Sequence, residues 1–145
     1  MRHSLLVESK PSAVNDICGR ILSQVEQSGY SREDVFAVHL AIEEAFVNAV
    51  KHGNKMDASR TVKIEYTAGP EEIEIWLTDE GAGFDPDSVP DPRSGQNIYK
   101  PEGRGLLLIR SYMDEVSFNE RGNSIRMVRY RHRPRALEDE GVEGT

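Results

Sequence analysis

Glu44-Ala45-Phe46-Val47-Asn48-Ala49-Val50-Lys51-His52 is the stretch on which the fold of this 145-residue chain turns. Glu44, Asn48 and His52 stand at i, i+4 and i+8, so a helix sets all three on one stripe. Val35, Val38, Ile42, Ala45 and Ala49 make an apolar face on one side of that stripe, and Phe36, Leu40, Val47 and Val50 make a second. A helix apolar on two sides is expected to be largely buried. A buried carboxylate or amide left unpartnered costs about 1–3 kcal/mol, so Glu44 and Asn48 need partners. Either they bond each other and nearby backbone, or an ion or ligand supplies what they lack. A metal site built from His39 and Glu43, or from Glu44 and His52, has too few ligands and is set aside.

Working outward, Ser31 lies three residues ahead of Asp34 and resembles a capping box, so this helix is expected to run from there to about His52, before Gly53. Upstream, His3 to Glu8 reads as a strand, and Pro11 to Gly29 as a helix with Val14, Ile17, Cys18, Ile21, Leu22 and Val25 at helical spacing. Downstream, Val62, Ile64 and Tyr66, then Ile73, Ile75 and Leu77, alternate with polar residues, giving strands at Thr61 to Thr67 and Glu72 to Thr78. A helix beginning near Arg104 carries Leu106 to Ile109, and Glu115 to Asn119 with Ser124 to Arg131 reads as a hairpin turning at Arg121-Gly122-Asn123. Strands follow one another without helices between them in two places. The expected fold class is therefore α+β, a two-layer sandwich with a mixed, mostly antiparallel sheet and helices on one face. Residues 1–132 read as a single domain and 133–145 as a disordered acidic tail.

Eighteen Lys and Arg against 25 Asp and Glu give a net charge of −7, which disfavours nucleic acid and anionic membranes as partners of the whole surface. The single cysteine, Cys18, cannot form an internal disulfide and is read as core. The longest wholly apolar run is Leu106 to Ile109, and Met1 to Lys10 lacks a signal-peptide core, so the expected place is the cytoplasm. Arg126, Arg129, Arg131, His132, Arg133 and Arg135 form a basic run, read as a solvated strand face.

Two glycine motifs remain. Asp79-Glu80-Gly81-Ala82-Gly83-Phe84 follows a strand; its glycines let backbone come close to a flat ligand, and the Asp79 carboxylate can accept from an exocyclic amine. A calcium loop would need further acidic ligands at alternate positions. Gly103-Arg104-Gly105-Leu106 is placed at the start of a helix, where a nest of N–H groups and the helix terminus favour phosphate. The Gly-, Pro- and Asp-rich stretch from Asp79 to Gly103 is too long for a mere connection and reads as a lid.

In this order the three motifs resemble the GHKL ATPases, whose nucleotide site is the Bergerat fold. Glu44 to His52 looks like the N box, Asp79 to Phe84 like the first glycine box and Gly103 to Ile109 like the second. The compact form, with a Met113-Asp114-Glu115-Val116 strand entry, is similar to the bacterial anti-sigma-factor serine/threonine kinases. That resemblance implies ATP and Mg2+ as cofactors, with Asn48 on the metal. Asp79, Gly81 and Gly83 would form the adenine pocket, Gly103, Arg104 and Gly105 would hold phosphates, and Glu44 would be the general base toward a substrate serine. It further implies a sigma factor and a small anti-anti-sigma antagonist as partners, and a homodimer. A nucleotide-gated binding module without phosphotransfer would carry the same residues. The glycine-threonine pair common on the last strands of the superfamily is here Gly122-Asn123-Ser124, which puts that contact in doubt.

Overall fold

The computed structural model describes residues 2–81 and 101–131, the last of these at side-chain level from 105 onward. Residues 82–100 of the expected lid, Gly83 among them, and the expected tail lie outside the described residues. Among the described residues five strands form one sheet: β1 (His3–Glu8), β2 (Thr61–Ala68), β3 (Glu72–Thr78), β4 (Glu115–Phe118) and β5 (Ser124–Tyr130), in the spatial order β1-β2-β3-β5-β4. All four pairings are antiparallel, so the α+β reading holds and the sheet is more regular than the mixed one expected.

Alternation fixes which face is covered. The register sets Val7 opposite Val62, Ile64 opposite Leu77, Ile75 opposite Met127 and Phe118 opposite Ile125, so one face is almost wholly apolar. Three helices bury that face: α1 (Val14–Gln27), α2 (Arg32–Asn48) and α3 (Pro101–Tyr112). From α1 come Ile17, Cys18, Ile21 and Val25, from α2 Val38, Ile42 and Phe46, and from α3 Ile109, all in one cluster with the inward strand residues. Cys18 is core as expected, and burial pushes its thiol up to about 11.

Local chemistry sets the helix ends. A 3-10 turn at Pro11–Ala13 leads into α1. Gly29, at φ +86°, ends it in a Schellman motif, with Tyr30 N–H donating to Val25 O and Gly29 N–H to Glu26 O. Ser31 caps α2 as predicted, its Oγ accepting from Asp34 N at 3.0 Å. The helix α3 starts at Pro101 rather than near Arg104, because proline is preset for the first helical position. Gly103 to Gly105 therefore lies inside its opening turns.

Two expectations need correction. The second apolar stripe is fully buried only at Val50: Phe36 is 55% exposed and packs edge-on against Tyr112 of α3, and Leu40 and Val47 are half-buried. The inner row of α2 carries Ala37, Ala41 and Ala45 between the larger Val38, Ile42 and Phe46, and it supplies most of the helix's contact with the core. Nor, among the described residues, is the basic run simply a solvated face; His132, Arg133 and Arg135 lie outside them. The β5 strand is central, so Arg126 pairs across it with Glu74 and Glu115, and Arg129 is buried against Asp34, Nε to Oδ1 2.9 Å, also donating to Tyr112 O. Arg131 donates to the carbonyls of Ser28, Gly29 and Pro70 and stacks over Tyr30.

Asp34 is fully buried, so removing the Arg129 guanidinium takes away a buried countercharge. Arg129→Met is expected to lower unfolding free energy by about 3–5 kcal/mol in denaturant titrations. Adding Asp34→Leu should recover part of that, leaving the double variant less destabilised than the two single losses summed.

Candidate active site

The α2 helix directs its apolar row to the sheet and leaves Glu44 and Asn48 half-buried on the flank that meets α3. Gly105 makes this meeting close: a Cβ there would stand 2.7 Å from Glu44 Oε1, 3.4 Å from Asn48 Nδ2 and 3.7 Å from its Oδ1. The two polar ends thus lie against bare backbone of α3. They do not bond each other, which corrects one of the two readings open in the sequence. Among the described residues neither side chain has a hydrogen-bond partner. A carboxylate and an amide held uncommitted in a half-buried cleft can take up a ligand's charge and oxygens.

His52 leaves the stripe. The α-helix ends at Asn48 and is continued by a π turn over Ala49–Gly53, closed by Asn54 N–H to Ala49 O at 2.8 Å. This wider turn takes His52 off the 3.6-residue spacing, and it is exposed. The same turn carries Gly53 to the end of β3. There a Cβ on Gly53 would lie 2.1 Å from Asp79 Oδ2, and a Cβ on Gly81 would lie 1.9 Å from Gly53 O. Neither position has room for a side chain.

Asp79 is fixed by its backbone. Its N–H donates to Asn123 O at 2.9 Å, its C=O accepts from Asn123 Nδ2 at 3.2 Å, and its Oδ1 accepts from Gly81 N–H at 2.8 Å. Burial raises its pKa, opposed by the Gly81 N–H and the charges of Arg60 and Arg121. The substituted Gly122-Asn123-Ser124 is therefore an active part of the site wall. Gly122 takes φ +76°, and Asn119 Oδ1 gathers the N–H groups of Gly122, Asn123 and Ser124.

Glu44, Asn48, Gly105, Asp79 and Gly81 thus occupy two neighbouring stations, one between α2 and α3 and one at the end of β3. The N–H groups of Gly103 and Arg104 fall within the opening turn of α3, where amides lack intrahelical acceptors. The Arg104 side chain and Gly83 lie outside what the structure describes. Sequence reasoning missed Gly53 and Asn54 and left the contact at Asn123 in doubt. The Gly53-Asn54 pair directly after the helix was the available signal.

The glycines should separate in stability measurements. Gly81→Ala forces backbone apart and is expected to cost about 1–3 kcal/mol. Gly105→Ala meets only the movable end of Glu44 and sits in a helix, so the chain should unfold no more easily, with a gain of up to about 1 kcal/mol.

A model of the histidine kinase-like ATPase domain matches residues 7–129. A serine-protein kinase RsbW of Bacillus licheniformis is 30% identical over 144 residues, covering 92% of this chain and 87% of that protein. The serine-protein kinase RsbW of Bacillus subtilis is 27% identical, with 94% and 90% covered, and that of Listeria monocytogenes 29% identical, with 88% and 85% covered. Among solved structures, one of the RsbU and RsbW domains of a Mycobacterium tuberculosis protein superposes with a TM-score of 0.62 at 15% identity. It covers 92% of this chain, which spans 33% of that longer one, and shows the fold alone. Sheet order, helix layer, the glycine-lined stations and these matches agree, and the chain belongs to the histidine kinase-like ATPase domain family, among its serine-protein kinases.

Proposed function

We propose that this chain is an ATP-dependent serine/threonine kinase that acts as an anti-sigma factor in a partner-switching system. It holds a sigma factor and phosphorylates a serine of a small anti-anti-sigma antagonist, and the phosphorylation decides which partner is held. The observation that carries this reading is the uncommitted Glu44 carboxylate beside Asn48, facing the backbone of Gly105. A structural helix would spend such groups on internal bonds; a phosphotransfer site keeps them available.

The residues divide the work. Asp79 accepts from the adenine amino group with Oδ2, since Oδ1 is taken by Gly81 N–H. Asn48 would hold Mg2+, its amide oxygen being a hard donor with no partner among the described residues, and the ion would supply charge neutralisation for the phosphates. Amides of Gly103 and Arg104 at the start of α3 favour phosphate. Glu44 takes the proton of the substrate serine as its oxygen bonds the γ-phosphorus and the bond to the β-phosphate oxygen breaks, releasing ADP.

The partners follow the same reading. Arg126, Arg129 and Arg131 are engaged within the fold and the net charge is −7, which supports protein rather than nucleic-acid partners. The sheet face opposite the helices carries Leu6, 73% exposed, in keeping with a homodimer. Among the described residues no helix is long and apolar enough to cross a membrane, in keeping with a place in the cytoplasm.

Transfer of γ-phosphate to the antagonist, read by mass spectrometry on its serine, tests the assignment. Glu44→Gln is expected to lower the rate about 100- to 10,000-fold with ATP still bound, and Asn48→Ala to weaken magnesium-dependent ATP binding in calorimetry. Wild type that binds ATP but transfers nothing to any cognate antagonist would make the chain a nucleotide-gated binding module. Protonation removes the ionised acceptor at Asp79. Because its pKa is raised, ATP affinity should fall on acidification at a higher pH than for an ordinary aspartate.

A further inference from the structure

Asn54 is fully buried, unlike Glu44, Asn48 and Asp79, and it touches four separate parts of the fold. It sits at the end of the π turn, where its N–H closes that turn on Ala49 O. Its Nδ2 donates to Ser9 Oγ, just beyond β1, and to Thr61 O, at the start of β2, both at 3.0 Å. Its Oδ1 accepts from Glu80 N–H at 2.7 Å, in the turn after β3. Both amide protons and the oxygen are engaged, so this buried amide is satisfied in one orientation and in no other.

The bond to Glu80 matters because of what flanks it. Asp79 and Gly81 stand on either side of Glu80, and Gly81 approaches Gly53 O so closely that a Cβ would lie 1.9 Å from it. Such a contact needs the turn held from outside. Asn54 holds it at the midpoint, Asn123 holds Asp79, and the Glu80 carboxylate accepts from Thr61 N–H at 2.6 Å and Oγ1 at 2.7 Å. Of these only Asn54 joins the turn to the end of the helix that carries Asn48.

We infer that Asn54 is a positioning residue that sets where the Asp79 carboxylate meets the base, and so sets affinity for ATP and preference for ATP over GTP. This rests on the nucleotide-site reading given above. Guanine presents a carbonyl where adenine presents its amino group, so a displaced Asp79 weakens ATP without weakening GTP. The rate at saturating ATP depends on Glu44 and the α3 backbone and is left nearly unchanged.

Dissociation constants for ATP and GTP, with Mg2+, and phosphotransfer at saturating ATP test this. Asn54→Ala is expected to weaken ATP at least tenfold, leave GTP within twofold, and keep the saturated rate within threefold. Asn54→Asp keeps the oxygen that accepts from Glu80 N–H and loses the donors to Ser9 and Thr61. It should melt at lower temperature than wild type yet keep the ATP preference within threefold. A merely structural role predicts that both variants lose stability and neither changes the ratio, and that result overturns the inference. Equal loss of preference in both variants overturns it as well. Should Asn54→Ala not fold, amide exchange in the wild-type chain decides. Slow exchange at Glu80, slower still with ATP, supports the inference, and exchange at the rate of a free amide overturns it. If wild type binds no ATP, the nucleotide-site reading itself has failed, whereas normal wild-type binding with an unaltered Asn54→Ala ratio defeats only the role of Asn54.

Discussion

The backbone of Gly53 and the turn after β3 touch at a separation that admits no side chain on either. That approach joins the end of a helix to the end of a strand, and the site is arranged around it. Asp79 is pressed against Gly53, bonded to Gly81 and held front and back by Asn123, so its carboxylate has one free oxygen and one orientation. The π turn makes the approach, because a helix that stayed regular past Asn48 would deliver Gly53 elsewhere. Irregular backbone is concentrated here, while the sheet behind it stays regular.

The α2 helix has a divided task. Its inner row is pure packing, with alanines between larger side chains, and this row fixes the helix on the sheet. The flank is then free to carry Glu44 and Asn48 at an edge where they are neither solvated as on an open surface nor sealed in the core. A third helix with glycine at the contact completes that edge. Rigidity comes from the apolar side and uncommitted polar groups from the flank, which is how a candidate site is held in place without its polar groups being used up.

Much of this could be read from residue order. Period-two alternation in Val62 to Tyr66 and Ile73 to Leu77 located two strands and the face they bury, and Ser31 and Gly29 marked helix ends by their capping chemistry. Glu44, Asn48 and Asp79 stood out because charged and amide groups interrupt apolar patterns. Other features were illegible for physical reasons. Ala49 to Gly53 has ordinary helical spacing, and its wider turn is tied to Asn54, whose bonds reach Ser9, Thr61 and Glu80, far away in the chain. Periodicity shows that Phe36 is apolar, not that solvent and Tyr112 of α3 lie beside it. The arginines of β5 look solvated only until the strand is known to be central, which a linear pattern does not reveal.

The strand order also governs how the chain can be made. The meander β1-β2-β3 is complete once Thr78 has been synthesised, but β5 lies between β3 and β4 and is the last strand produced. Until it inserts, β3 is an open edge, α1 lacks the Arg131 guanidinium on its terminal carbonyls, and Asp34 faces the interior without its cation. A chain still emerging from the ribosome therefore holds the helix bearing Glu44 and Asn48 well before it holds a closed sheet to support it. The full support of that helix arrives late, with the insertion of β5.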